Sequence, residues 1–374
     1  MDLDSVLVVG GGIGGLTAAI ALRRKGYPVE IIERDPNWSV YGVGIIQQMN
    51  VVRAMNDIGV LEAYLAKGSG FSTTTIYAGP DGMQSARFET PRLAGPQHPS
   101  NAGIRRRDLQ QVLGDEAKRL GAKVRLGLTI VRMEDDGEGV DVTFSDGTSG
   151  RYDIVVGADG IFSATRAAIV PDAPKPEYTG QWVWRYNLPR PASLEGIEIF
   201  AGPCNAGLVP MTDDLMYMFL VSQEEEGMTL PTQGAAAAMR ARTKMAPPQI
   251  SALLDQITDD EGVVARPMEV IFLKDHPWHK GRVVLLGDAV HASTPHLAQG
   301  AGMAIEDGLV LAEELARADD TETAFQAYRA RRFDRVAFVA ENSIRIGDMQ
   351  MGKIPPFDAG ELTGQSIKLM CEPI

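Results

Sequence analysis

The chain has 374 residues, 44% hydrophobic and 23% charged, a globular composition that excludes disordered, collagen-like and disulfide-scaffold classes. Its 36 Lys and Arg against 49 Asp and Glu leave a net charge of −13, which argues against a general nucleic-acid or anionic-membrane binder. The 40 glycines point to tight turns or close backbone approach to a ligand, and the length suits two domains or one α/β body with a smaller lobe.

The start, MDLDSVLVVGGG, is acidic and passes straight into a short apolar run, unlike a signal peptide. No run of about 18 apolar residues follows, so no membrane span is predicted. Cys204 and Cys371 lack ligand-like spacing, and no metal cluster is evident. A cytoplasmic location is the expectation.

Val6–Val9 is predicted as a strand running into the glycine-rich stretch 10–15, residues 16–24 as a helix, and residues 29–32 as a second strand ending at Glu33. A βαβ unit thus opens the chain. Residues 50–57 and 109–120 read as helices, 71–77 as β-rich before a turn at 79–82, and Lys123–Leu126 and Val140–Phe144 as strands. Residues 154–156 form a buried strand leading to Asp159-Gly160. From about Pro171 the texture turns β-rich, with short runs at 182–186, 197–200, 215–221 and 270–273 and one helix at 249–257. Residues 283–286 resume a buried strand, 302–316 and 324–343 are long helices, and the last thirty residues receive no assignment.

Gly10-x-Gly12-x-x-Gly15 is a dinucleotide fingerprint in its required strand–turn–helix context. Gly10 permits the tight turn, Gly12 lets backbone approach a pyrophosphate, and Gly15 lets helix pack on strand. The helix start offers unpaired N–H groups to phosphates. Glu33, 23 residues after Gly10, stands where a carboxylate accepts from an adenosine ribose hydroxyl, with Arg34 next to it. This pattern alone suits FAD or NAD(P).

A second constellation lies far downstream. A strand runs into Gly287-Asp288, and Pro295 and Gln299 lead to Gly300-Ala301-Gly302 at a helix start. A carboxylate at a strand end accepts from a polyol hydroxyl, and a glycine-lined helix start points N–H groups at something electron-rich. A nicotinamide dehydrogenase has no use for this second site, whereas an extended FAD does.

Gly10-x-Gly12-x-x-Gly15, then Asp159-Gly160 with Ser163 and Arg166, then Gly287-Asp288-Ala289-x-His291-x-x-x-Pro295-x-x-x-Gln299-Gly300-x-Gly302 closely resemble the single-component FAD-dependent aromatic hydroxylases, the group of p-hydroxybenzoate and salicylate hydroxylases. The resemblance runs from about residue 5 to 345. It implies an α/β fold: a Rossmann-like FAD-binding domain with an inserted β-sheet substrate-binding lobe and C-terminal helices. The expected boundaries are 1–72, 96–170 and 276–350 for the FAD-binding domain, 73–95 and 171–275 for the substrate lobe, and 351–374 for a C-terminal appendage.

The resemblance further implies hydride transfer from NADH or NADPH to FAD, and insertion of one atom of O2 into a small phenolic or N-heteroaromatic substrate through a C4a-hydroperoxyflavin. Carried over by motif, Glu33 holds the adenosine ribose, Arg106 contacts the phosphate and ribityl region, and Asp159 serves FAD and pyridine nucleotide. Asp288 takes the ribityl side, Pro295 packs near the flavin ring, and the amides of Gly300, Ala301 and Gly302 face its pyrimidine edge. Gly44 belongs to the loop beside the isoalloxazine. Tyr217, Arg185 and Gln47 are the candidates for positioning substrate. Epoxidation, purine hydroxylation, modification of a polycyclic antibiotic, an FAD oxidase or dehydrogenase, and a flavin-binding sensor remain alternatives, as do monomer and homodimer.

Other polar groups read as structural. His291 and His296 have no partners for a metal cluster and suit packing or hydrogen bonding better than catalysis. Glu306-Asp307 reads as helix-dipole compensation, and Glu224-Glu225-Glu226, Asp255, Asp259, Asp260 and Glu261 read as solvated surface charge.

Overall fold

The structure is a computed structural model, and it describes every residue except Asp2, Tyr41, Pro203 and Lys244. Its spine is a six-stranded sheet in the order His279–Lys280, Val283–Leu285, Ile154–Gly157, Val6–Val9, Val29–Glu33, Lys123–Leu126. The pairings are parallel, with Val6 opposite both Ile154 and Val29 and with Val155 opposite Val283; the short His279–Lys280 edge alone runs antiparallel. The apolar runs of the central strands are buried throughout, as parallel strands covered on both faces require. Strands from the start, middle and end of the chain therefore lie side by side.

Helices Ile13–Arg24 and Gly300–Arg317 pack against one another on this sheet. A methyl added at Gly14 would lie 3.0 Å from Leu286 Cδ1 and 3.2 Å from the Ala304 methyl. One added at Gly308 would lie 2.7 Å from the Ala18 nitrogen and 2.9 Å from its Cα. Small residues at both crossings let the backbones meet.

The inserted sheet has seven strands, ordered Val264–Val270, Glu177–Pro189, Leu215–Gln223, Asn205–Pro210, Ile197–Ala201, Thr73–Ala78, Met83–Glu89. All neighbours are antiparallel except Ile197–Ala201 with Thr73–Ala78. Alternation divides its residues. Trp182, Trp184, Tyr186, Met216 and Met218 form a separate core with Met239 and Ile250, while Arg185, Tyr217 and Phe219 point the other way, Arg185 opposite Phe219 and Asn187 opposite Tyr217. That second face looks toward a three-stranded sheet of Gly44–Gln47, Asn101–Arg105 and Ser69–Phe71.

Several elements differ from expectation. The β-rich run at 71–77 divides between Ser69–Phe71 and Thr73–Ala78, which belong to different sheets. The strand expected at 270–273 is Val264–Val270; Ile271 and Leu273 instead donate to the carbonyls of Ala292 and Val290 at 3.0 and 2.9 Å. The helix expected at 249–257 breaks into Pro248–Ser251 and a 3-10 turn, Leu254–Gln256. An additional helix, Ala235–Ala241, is started by Asp260, which accepts from the Gly234 and Ala236 amides at 2.6 and 2.9 Å; Asp260 is thus a cap rather than free surface charge. The unassigned C-terminus contains a helix, Ala359–Cys371, capped by Asp358 and anchored by buried Leu362 and Met370. Among the described residues, no helix is long and apolar enough to cross a membrane.

The crossing gives a direct test. Gly308→Ala forces the helices apart and should lower stability by about 1–3 kcal/mol in urea unfolding; an unchanged midpoint contradicts the close approach.

Candidate active site

The opening glycine turn is closed toward the protein and open on one side. Gly10 has φ +108°, and a Cβ there would overlap the Ala158 carbonyl; one at Gly15 would overlap the Gly10 carbonyl. Among the described residues, no atom lies within 4 Å of a Cβ placed on Gly12, and no side chain caps the helix that Gly12 begins. The helix start therefore leaves its orphan N–H groups to a ligand. Glu33 stiffens the turn, accepting from the Gly11 and Asp35 amides at 2.9 Å each, with carboxylate lone pairs to spare. Trp38 Nε1 and Gln110 Nε2 both donate to the Gly11 carbonyl, at 2.9 and 2.5 Å. Arg34 is exposed at the rim.

Asp288 follows Gly287, whose φ of +60° turns the chain as it leaves the sheet. Asp159, on the neighbouring strand end, accepts from Ser163 Oγ at 2.5 Å, from the Thr165 amide at 2.9 Å and from Thr165 Oγ1 at 3.0 Å, so its carboxylate organises its own loop. Arg166 joins this loop to the Asp288 turn by donating to the Ala289 carbonyl at 3.0 Å. Pro295 is exposed at the start of a 3-10 turn that buries Leu297, and Gly300 and Ala301 at the following helix start are half-buried. Gly302 instead serves packing: a Cβ there would lie 2.5 Å from Gln299 Oε1 and 3.1 Å from Val51.

Between these segments lie Arg106, Arg185, Tyr217 and Asp288. Arg106 begins helix Arg106–Arg119 and donates its amide to the Val43 carbonyl at 3.2 Å. A Cβ at Gly42 would touch Arg106 Cδ at 2.8 Å, and one at Gly44 would touch Tyr217 Cδ1 at 2.6 Å, so the loop threads between the two side chains. Arg106 feels each of the other three, and Arg185 and Tyr217 also feel each other. Burial lowers the Arg106 pKa, while Tyr217 and Asp288 raise it. Burial, reinforced by the Arg106 charge, brings Arg185 down to about 10. Burial pushes the Tyr217 phenol up to about 12 against both arginines. Burial also raises Asp288, opposed by His291 and Arg106. Asp288 nonetheless has an exposed side chain. Exposure with desolvation describes the floor of a crevice, open to water yet crowded by protein.

Among the described residues, none of these four side chains makes a hydrogen bond or ion pair within the protein. Two guanidinium groups, a phenol and a carboxylate in one crevice need outside partners. An extended ligand with phosphates, hydroxyls and a polar ring edge fits this donor and acceptor set. Ile46, Ile199, Phe219 and Val264 add a partly open apolar wall around Tyr217. Gln47, by contrast, alternates to the opposite face from Gly44 and Ile46, and its side-chain nitrogen and oxygen are buried without partners among the described residues. The structure does not bring it to Tyr217 and Arg185.

Glu306-Asp307 and Glu224 differ from expectation, whereas His291 and His296 do not. Glu306 and Asp307 are fully buried, so they do not compensate a helix dipole; Arg332 donates to them at 2.6 and 2.8 Å, and Arg335 donates to Glu306 at 3.0 Å. Burial pushes the Asp307 carboxyl up, but His291 and Arg332 outweigh it and hold it at about 2. Glu224 is not free charge either, since Arg242 Nη2 donates to it at 2.8 Å while stacking on Trp184 at 4.3 Å. His291 bonds Asp307 at 2.6 Å, and His296 bonds Thr294 and Gln350 at 2.9 and 3.0 Å, with burial depressing its pKa to about 4; both are hydrogen-bonding groups.

The family described as FAD binding domain matches residues 4–343. Aurachin C monooxygenase/isomerase of Stigmatella aurantiaca is 31% identical over 360 residues, covering 92% of this chain and 89% of that protein. The 3-hydroxybenzoate 6-hydroxylase of Polaromonas naphthalenivorans (strain CJ2) is also 31% identical over 360 residues, covering 91% and 87%. The crystal structure of Klebsiella pneumoniae HpxO complexed with FAD and uric acid superposes with a TM-score of 0.83 at 25% identity, covering 99% of this chain and 93% of that one. With two distant segments joined around one crevice and a family match spanning nearly the whole fold, the chain belongs to the FAD binding domain family, among the FAD-dependent aromatic hydroxylases.

Proposed function

We propose that the protein is an FAD-dependent monooxygenase that uses NADH or NADPH and O2 to hydroxylate a small phenolic or N-heteroaromatic substrate. The observation that carries this reading is the set Arg106, Arg185, Tyr217 and Asp288, unpaired among the described residues and lying between the two glycine-lined segments and an apolar sheet face. In this reading the helix start at Gly12 takes the pyrophosphate, and Glu33 takes the ribose with Arg34 at the rim. Arg106, Asp159 and Asp288 serve the middle of the cofactor, and Gly44, Pro295, Gly300, Ala301 and Gly302 border its ring. Bound FAD, reduced by the nicotinamide nucleotide, supplies O2 activation and oxygen-atom transfer.

The protein supplies placement and dryness. Arg185 stays cationic at neutral pH and attracts the anionic edge of a phenolate or carboxylate. Tyr217, with its pKa near 12, stays a neutral phenol and donates a hydrogen bond rather than acting as a base. The apolar wall around it excludes water from a flat ring. Gln47 acts on substrate only through the strand it buries. A purine is the second reading, favoured by the likeness to the uric-acid complex.

The test follows FAD reduction and product mass with hydroxybenzoates, pyridine carboxylates, quinolones and urate. A substrate should accelerate NADH or NADPH oxidation and gain one oxygen from isotopically heavy O2. Reduction that no ring compound accelerates, or a product with unchanged oxygen content, contradicts the proposal.

Two substitutions separate roles. Tyr217→Phe keeps the ring under Gly44 but removes one donor, and should weaken substrate binding about 10–100-fold, the worth of a hydrogen bond to a charged group. Arg185→Met removes a desolvated cation that has no partner among the described residues, so the ligand-free melting temperature should rise while anionic substrate binding falls steeply. The pH dependence has a definite sign. The folded pKa of Arg185 is lowered to about 10 from 12.5, so its charge opposes folding below pH 10 and that penalty fades as pH climbs from 10 toward 12.5. Affinity of the native protein for an anionic substrate moves oppositely, declining as pH passes about 10. A melting temperature that drops in Arg185→Met, with substrate affinity unchanged, would make Arg185 a structural residue.

A further inference from the structure

Behind the crevice lies a second set of buried polar groups, and unlike the first it is fully paired. Arg332 and Asp307 are wholly buried, as are Glu306 and Asn50, with Gln299 at 1% and His291 at 2% exposure. Arg332 comes from helix Thr321–Gln350, away from the crevice, yet both its branches end at the crevice wall.

The first branch runs through Asp307. Arg332 Nε donates to Asp307 Oδ1 at 2.8 Å. The other carboxylate oxygen accepts from the Gly287 amide at 2.9 Å and bonds His291 Nε2 at 2.6 Å. Gly287 and His291 bracket the single helical turn Asp288–His291. One oxygen therefore grips both ends of the turn that presents Asp288.

The second branch runs through Glu306. Arg332 Nη1 donates to Glu306 Oε2 at 2.6 Å, and Asn50 Nδ2 donates to Glu306 Oε1 at 2.9 Å. Asn50 and Gln299 exchange two bonds of 3.0 Å. Gln299 also donates to Gln48 Oε1 at 2.7 Å, and Gln48 donates to the Leu297 carbonyl at 2.9 Å. Gln299 is the residue from which helix Gly300–Arg317 begins, and Leu297 ends the turn that Pro295 opens.

A buried ion pair is weak evidence for stability, because desolvation offsets much of its attraction, while apolar replacements of equal volume often do as well. Two arginines matched against two carboxylates here specify geometry instead. We propose that Arg332 is a positioning residue for the flavin side of the site, setting the Asp288 turn through Asp307 and the start of the Gly300–Arg317 helix through Glu306, Asn50 and Gln299. The inference rests on FAD occupying the crevice and needs no particular ring substrate.

The experiment titrates apoprotein with FAD by fluorescence and measures the midpoint potential of the bound flavin, in native protein and in Asp307→Asn, Gln299→Leu and Arg332→Lys. Asp307→Asn is isosteric and cuts the first branch; Gln299→Leu cuts the second and leaves the ion pairs intact. Each should raise the FAD Kd about 10-fold or more and shift the midpoint potential, with native far-ultraviolet circular dichroism. Arg332→Lys keeps the charge but not the two-armed geometry, and should fall between native and Asp307→Asn. Variants with lower melting temperatures but native Kd and midpoint potential would overturn the inference and leave Arg332 a structural residue. Native apoprotein that failed to take up FAD would instead overturn the cofactor assignment.

Discussion

Two helices that begin at residues 13 and 300 lie against each other, brought close where small residues meet. Gly14 meets Leu286 and Ala304, and Gly308 meets Ala18. Everything proposed for the protein depends on that contact, because one cofactor can use both helix starts only if they share a wall. The parallel pairing of Val6–Val9 with Ile154–Gly157, and of that strand with Val283–Leu285, fixes the same proximity from the sheet side. A larger residue at Gly308 would separate the glycine turn from the Asp288 turn without touching either.

The chain buries two sets of charged groups in opposite conditions. Arg332, Arg335, Glu306 and Asp307 satisfy one another. Arg106, Arg185, Tyr217 and Asp288 are desolvated without a hydrogen bond or ion pair among the described residues. A paired interior set costs little and holds shape. An unpaired set is costly until something fills it, which is why it marks the place where ligand chemistry belongs.

What was legible in the sequence was local or strictly spaced. The Gly10 turn could be read because strand, turn, helix and Glu33 fall within one βαβ unit. Arg185 and Tyr217 stood out as polar residues on apolar β runs, and strand alternation places them on one face. The failures were non-local. Glu306 and Asp307 find their partners on the next helix, at positions 332 and 335, so their burial left no local signature. The Ala235–Ala241 helix takes its cap from Asp260, and the Ala359–Cys371 helix is held by Arg53 and Arg335 donating to its last carbonyls. Gln47 looked like a site residue by sequence neighbourhood, but one step of alternation turns it to the other face of its strand.

The central claim is that a single FAD spans both segments. Hydrogen–deuterium exchange of the apoprotein with and without saturating FAD tests it directly. If one FAD spans both, amides around residues 10–15 and around 287–302 gain protection together, with the same FAD dependence. Protection confined to the first glycine turn, with the 287–302 segment exchanging as before, would contradict it.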